Sequence, residues 1–179
     1  MPEIEIRPAI ASDIPALIAL EHGYSSDHAW QMEFRRQGEQ VSITFRQIRL
    51  PRSVQVQYPH PPAALADDWQ KRDGLLVAVR EGEPLGYISL RLQSGGHIAR
   101  VTDLAVGRRF RRQKIGSALV LAAQDLALQM GSRRMVLEMQ PKNYPAIQMA
   151  RKLGFELCGY QDHYFVNQDI ALFFSKWLK

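Results

Sequence analysis

Between Thr102 and Met130 an alternating strand runs through a short cationic loop into a helix that opens on small residues. No other part of the chain constrains the fold as much. Thr102-Asp103-Leu104-Ala105-Val106 reads as a strand. Arg108, Arg109, Arg111, Arg112 and Lys114 follow within one short segment. Gly116, Ser117 and Ala118 then open a helix predicted to reach Met130. Ile115, Leu119, Ala122, Leu126 and Met130 recur in it at three- and four-residue spacings, which gives one core-facing stripe. Gly131 is a suitable residue to close it.

The location of the charge says more than its total. The chain has a formal net charge of +5, and outside these five cations acids and bases balance. At a helix start the first backbone N–H groups have no internal partner, and the helix dipole adds partial positive charge. Phosphate groups bind there for that reason. The small side chains at 116–118 let a bulky anion approach the backbone, and the arginines add charge-assisted contacts. Neither G-x-x-x-x-G-K-[ST] nor a G-x-G-x-x-G after a strand is present. The loop also reads as an ordinary solvated basic turn before a helix packed through small residues.

The flanking sequence supplies a mixed α/β order. Glu3 to Arg7 alternates as a first strand. Ser12-Asp13-Ile14-Pro15 predicts a helix start, with the helix running to about His22. A second helix is predicted over Asp27 to Arg36 behind Ser26. From Gln40 to Asp73 the pattern is weak: Val41, Ile43 and Phe45, then Val54 and Val56, alternate like strands. Pro51, Pro59, Pro61 and Pro62 interrupt them and imply an edge strand or loop. Leu75 to Val79 is an apolar run typical of a strand buried on both faces. Glu81 to Pro84 and Ser94-Gly95-Gly96 read as turns around the strands Gly86–Leu92 and His97–Val106. Met135–Met139 is a strand, Asn143–Leu153 a helix closed by Gly154, and Phe155–Tyr160 and Ile170–Phe174 the last strands. The 179 residues suit one domain, 1–179, with helices on both faces of a mixed sheet.

Asp103-Leu104-Ala105-Val106 followed by Phe110-Arg111-Arg112-Gln113-Lys114-Ile115-Gly116-Ser117-Ala118-Leu119 resembles the acetyl-CoA motif of the GNAT superfamily, Q/R-x-x-G-x-G/A. Arg111 fits its first position and Gly116 its last, while Lys114 stands where the middle glycine belongs. Asn143, Ala146 and Ile147, then Leu153-Gly154-Phe155, resemble the family's N-x-x-A-…-L/C-G-F segment. A narrower resemblance, to streptothricin acetyltransferases, rests on Leu137-Glu138-Met139-Gln140 with Asn143, on Asp169-Ile170-Ala171-Leu172-Phe173, and on Asp103-Leu104-Ala105-Val106.

The resemblance implies a central, mostly antiparallel, splayed sheet and direct transfer of acetyl from acetyl-CoA to an amine substrate. It assigns the acetyl-CoA contacts to Leu104, Ala105, Val106, Arg111, Arg112, Gln113, Lys114, Ile115, Gly116, Ser117, Ala118 and Asn143. The phenol that many members use as general acid falls at Ala150, which has no proton to give. Tyr144, Tyr160 and Tyr164 are candidates by chain position, and Tyr160 is carried forward. Glu138 and Asp103 are candidate general bases. Glu138 equally fits a residue facing solvent or pairing with an arginine. His97, His163 and Cys158 have no spacing that suggests a metal or a nucleophile, and no metal is expected.

A small-molecule amine is the expected acceptor. A peptide N-terminus or lysine, and a non-catalytic acyl-CoA-binding module, stay open beside it. Nucleic acid is not expected as a partner, because only Phe110 interleaves the cations. No membrane is expected, since no apolar run approaches the roughly 20 residues of a span. The N-terminus lacks the pattern of a secretory signal, and Cys158 is the single cysteine, so a cytoplasmic location is expected. A homodimer is left open.

Overall fold

A computed structural model describes residues 3–93 and 95–179. Met1, Pro2 and the Ser94 of the expected second turn lie outside the described residues. Among these residues one sheet of seven strands forms the body. Its strands are β1 (Glu5–Pro8), β4 (Gly74–Arg80), β5 (Glu83–Leu92), β6 (Ile98–Val106), β7 (Arg134–Met139), β8 (Glu156–Gln161) and β9 (Ala171–Trp177). Their spatial order is β1-β4-β5-β6-β7-β9-β8. Among the described residues only β6 and β7 pair in parallel, joined by the helix α3 (Ile115–Gln129). The remaining neighbours are antiparallel. The expected mixed, mostly antiparallel sheet with helices on both faces is what forms.

Strand β4 explains why both faces are covered. Leu76 and Ala78 join the core beneath α3 and α4 (Tyr144–Lys152), with Leu119, Val120, Ala123 and Ile147. Leu75, Val77 and Val79 join a second cluster with Ile14 and Leu17 of α1 (Ile14–Ile18) and Leu65 of α2 (Leu65–Asp68). Side chains alternate across a strand, so a continuous apolar run feeds two cores. Each buried leucine contributes about 1.5–3 kcal/mol relative to exposure. In α3 the fully buried face is Leu119, Val120, Ala123 and Ala127, rotated slightly from the predicted stripe, and Ala122 and Leu126 sit at its margin.

Three expectations in the first half are corrected. The first helix ends at Ile18 instead of His22. His22 turns inward, hydrogen-bonded at Nδ1 to the Leu20 carbonyl and at Nε2 to the Tyr87 hydroxyl, which requires the chain to leave the helical path. The anchor of the preceding turn is Asp13, which accepts from Arg7 and from the Ile10 amide, rather than a Ser12 cap. The predicted helix over 27–36 does not exist. Those residues belong to β2 (Tyr24–Gln37), paired along its length with β3 (Gln40–Val56). Gly38, at φ +60°, supplies the left-handed turn between them. Pairs such as Met32 with Phe45 and Phe34 with Ile43 line one face with apolar side chains. That cross-strand pattern outweighs the local helix signal.

Candidate active site

The parallel pairing of β6 with β7 stops at Val101 opposite Leu137. Beyond that point each strand keeps its outer partner: β6 stays on β5 as far as Val106, and β7 stays on β9 as far as Met139. The strands therefore splay, and a cleft of about 540 Å³, open mouth included, lies between them. A bulge in β6 between Val101 and Asp103 resets which face its side chains take. Bulges beside functional sites commonly re-aim a side chain in this way. After the bulge Leu104 and Val106 pack toward the α3–α4 core, and Ala105 toward the α1–α2 core.

The cleft consequently has an apolar side and a polar side. Leu137, Met139, Ala146 and Met149 line the first, next to Asn143. Asn143 caps α4, its side-chain oxygen accepting from the Ala146 amide at 3.2 Å, so its NH₂ group remains available to donate. The other side holds both candidate carboxylates, and each is fully engaged. Asp103 accepts from the Tyr58 hydroxyl at 2.6 Å and from Arg72 at 2.6 Å. Arg72 also donates to Ser89 and pairs with Asp68. Glu138, with its side chain 3% exposed, accepts from the Tyr164 hydroxyl at 2.8 Å and lies 3.2 Å from His60 Nε2 and 3.7 Å from Arg100.

These contacts move proton affinities. The hydrogen bond to Glu138 raises His60 above its ordinary value, against the opposing effect of burial. Burial, with Asp103 beside it, pushes the Tyr58 phenol well above the ordinary range. Tyr164 is raised by burial and by its bond to Glu138. Neither phenol loses its proton near neutral pH, so both are hydrogen-bond donors to the carboxylates. The rings of Tyr58, His60, Phe165 and Tyr164 follow one another at centroid separations of 6.0, 5.5 and 5.0 Å. They form an aromatic wall over the polar side.

The cationic loop approaches the start of α3. Most of its cations serve the loop itself. Arg111 donates to the Val106 carbonyl at 2.8 Å and to the Glu21 carbonyl. Arg108 pairs with Glu21 at 3.6 Å, and Arg109 with Glu83. Gln113 bridges Arg80 and the Arg109 carbonyl. Among the described residues, Arg112 and Lys114 alone of the loop's five cations have no side-chain hydrogen-bond or ion-pair partner. Both sit at φ +65°, so Lys114 adopts at the motif's middle position the left-handed backbone that a glycine would take there. The helical bond from the Ala118 amide to the Lys114 carbonyl, 3.0 Å, leaves the Ile115, Gly116 and Ser117 amides facing the helix start. A Cβ on Gly116 would touch only Met149 Sδ at 3.4 Å and Val106 Cγ2 at 3.9 Å.

Asp103, Glu138, Leu104 and Asn143 thus line one cleft, and Arg111 to Ala118 run as one loop into the first turn of α3. Tyr160 lies apart from the cleft lining: it is in β8 and packs edge-on against Phe45. Tyr144 stacks on His28. Of the three tyrosines considered, Tyr164 is the one that reaches a carboxylate. Ala150 is wholly buried in the α3–α4 core. Tyr58, His60 and Arg72 were missed, because they come from the segment whose pattern is weakest. The usable signal was the isolated polar and aromatic residues between its prolines, Tyr58-Pro59-His60.

A family model described as Acetyltransferase (GNAT) family matches residues 43–155. An N-alpha-acetyltransferase of Sulfurisphaera tokodaii is 31% identical over 109 residues, 53% of this chain and 64% of that protein. The streptothricin acetyltransferase of Streptomyces lavendulae is 22% identical over 160 residues, 87% of this chain and 82% of that protein. The matches to the first curated relatives span 60% and 64% of those proteins' lengths. Among solved structures, nourseothricin acetyltransferase superposes with TM-score 0.83 at 22% identity, covering 98% of this chain and 99% of that one. A Bacillus anthracis str. Ames protein assigned as a streptothricin acetyltransferase, solved in complex with acetyl coenzyme A, gives 0.74 at 16% identity, with 98% and 99% covered. At these identities the superpositions establish a shared fold.

Proposed function

This chain belongs to the acetyltransferase (GNAT) family, and from that premise we propose that it is an N-acetyltransferase that moves acetyl from acetyl-CoA to a primary amine of a small molecule. The observation that carries the reading is the splay of β6 from β7. It opens a cleft with an apolar wall on one side and a buried, hydrogen-bonded carboxylate cluster on the other.

In this reading the pyrophosphate rests on the Ile115–Ser117 amides, with Arg112 and Lys114 supplying charge and Arg111 holding the loop in shape. Leu104, Ala105 and Val106 offer their backbone to the pantetheine arm, and Asn143 donates to it. A backbone N–H near Val106 polarises the thioester carbonyl. The amine enters from the polar side and must be neutral to attack. The Glu138–His60 pair accepts its proton, with His60 the exchanging group and Glu138 the partner that orients it. The N–C bond forms, the C–S bond breaks, and the CoA thiolate leaves with the electron pair and is protonated by water. Asp103, tied to Arg72 and Tyr58, serves as a fixed anion near the incoming ammonium. Tyr160 has no part in this scheme.

Two features support a small acceptor. Tyr58, Pro59, His60 and Phe165 close over the polar side, and two proteins matched over most of this chain are named streptothricin and nourseothricin acetyltransferase, although one matched as fully is named for ribosomal-protein-S18-alanine N-acetylation. The relative named N-alpha-acetyltransferase supports a peptide N-terminus as the second reading. Release of CoA thiol, followed with a panel of small amines and of N-terminal peptides, tests both. Turnover with diamines or amino sugars and none with peptides is expected. Turnover confined to peptides would replace the first reading with the second, and turnover with neither would remove both.

A further inference from the structure

The β2–β3 hairpin crosses the sheet and runs off its edge. Its first pairs lie over α4: His28 stacks on Tyr144, and Gln47 meets Gln148. The Trp30 amide donates to the Pro141 carbonyl just after β7, and its ring packs on Phe174 of β9. Phe45 packs on Tyr160 of β8. Beyond β8 the sheet has no further strand among the described residues, yet the hairpin continues through Phe34 opposite Ile43 and Arg36 opposite Val41.

Pleat alternation puts Phe34, Ile43, Arg36 and Val41 on the same face as Trp30 and Phe45. The face that packs on the body at its base is therefore bare at its tip. Phe34 is 55% exposed, Val41 48% and Ile43 40%. A two-stranded ribbon has little stability of its own, and an apolar tip face on such an arm wants a cover.

We propose that this face is covered by a second copy of the same chain, in a twofold dimer that brings the two β8 edges together. The hairpin overhangs its own β8 edge, so in such a dimer each tip reaches across to its partner's β8. That edge displays a match for the tip: an exposed apolar side chain, Leu157, 39% exposed, beside exposed acids at Glu156 and Asp162. The tip offers apolar side chains next to Arg35 and Arg36. One chain thus carries both halves of a complementary pair, as an isologous contact requires, and the twofold axis uses each half twice.

Sedimentation equilibrium of the full chain tests this without reference to catalysis. The expected species at tens of micromolar is twice the 20.4 kDa chain mass. Phe34→Asp with Ile43→Asp should give a monomer whose circular dichroism matches the parent. Arg36→Glu should weaken association at least tenfold, and Glu156→Arg in the same chain should restore it. The charge swap keeps the test decisive if the double aspartate variant fails to fold. A monomeric parent protein, or a dimer indifferent to both the aspartate and the Arg36→Glu changes, would overturn the proposal. Dissociation by Arg36→Glu without recovery on adding Glu156→Arg would overturn the pairing with β8.

Discussion

Residues 74–177 and residues 24–72 reach the same cleft by different routes. The first region is periodic. Its strands and helices alternate as their hydrophobic spacing predicts, and it supplies Asp103, Glu138 and Asn143 on rigid elements. The second has no clear period, yet it delivers Tyr58, His60 and Arg72 onto those carboxylates. Pattern is written by core burial. A side chain that answers a carboxylate across a cleft leaves no periodic trace in the sequence. The scaffold, both carboxylates and the Tyr164 and Arg100 that meet Glu138 belong to the patterned region, and Tyr58, His60 and Arg72 belong to the other.

The sharpest way to break this division is to cut the tie between the regions. Arg72 and Asp103 have side chains only 8% exposed each. Arg72→Met leaves a buried carboxylate without its cation, and the expected loss is about 3–5 kcal/mol in urea unfolding. Adding Asp103→Leu should return most of it. If the single variant is as stable as the parent, the middle segment is not fastened through this pair.

The next effect concerns the patterned region alone. A ligand at one hundred times its dissociation constant stabilises a protein by about 2.7 kcal/mol. Gly116→Trp should abolish that gain with acetyl-CoA while the unliganded melt stays unchanged. Gly116→Ala should keep it, since a Cβ there meets only ordinary contacts. A tryptophan variant that still shifts its melting temperature with acetyl-CoA would move the anion site elsewhere.

Much of the fold was legible for the reason just given. The apolar run at 75–79, the α3 unit and the helix placed from Asn143 to Leu153 follow from spacing and the closing Gly154. The β2 strand looks helical in sequence because Ser26, Asp27 and the mixed residues after them imitate a capped helix. What decides the matter is pairing with β3, a partner set by the Gly38 turn and by Phe45 and Ile43 further along the chain. The candidate site was half legible. Asp103 and Glu138 attract notice as carboxylates within strands, whereas His60 acquires its interest only from lying 3.2 Å from Glu138.

Ala150 sharpens the point on a smaller scale. The resemblance aligns it with a phenol beside the thioester, but its side chain is wholly buried in the core. Ala150→Tyr is expected to overpack that core at a cost of about 1–3 kcal/mol, seen as a lower melting temperature. A variant equal in stability to the parent and faster in turnover would show that room for the phenol exists.

His60 offers a gentler probe. Its midpoint in an NMR titration should lie above the ordinary 6.5 and fall back toward it in Glu138→Gln. A histidine raised in the folded state contributes stability that is fully present below the unfolded value and is lost as pH rises through the folded one. The pair therefore favours folding most below about pH 6.5. The contribution is small, because the ring is 34% exposed. If His60 accepts the proton of the amine, kcat/KM climbs with pH through that same raised midpoint, and Glu138→Gln moves the climb to lower pH. A pH profile that ignores Glu138→Gln would separate the pair from the chemistry.

The smallest expected effect is at Lys114, where folding and binding should respond with opposite signs. The residue sits at φ +65° and ψ 9°, a conformation that costs an L-residue about 1–2 kcal/mol. Glycine removes that strain but adds about 0.5–1 kcal/mol of backbone entropy to the unfolded chain. Lys114→Gly should therefore stabilise the unliganded protein by up to about 1.5 kcal/mol. The same change deletes one of the two loop cations without an ion-pair partner, and a charge near a helix start and its anion is worth about 0.3–1 kcal/mol at low salt. Acetyl-CoA binding by calorimetry should weaken accordingly, and its salt dependence should shrink. If binding instead tightens with an unchanged salt slope, the lysine charge does not meet the phosphates. The site would then depend at this position on the left-handed backbone alone, which lysine supplies under strain.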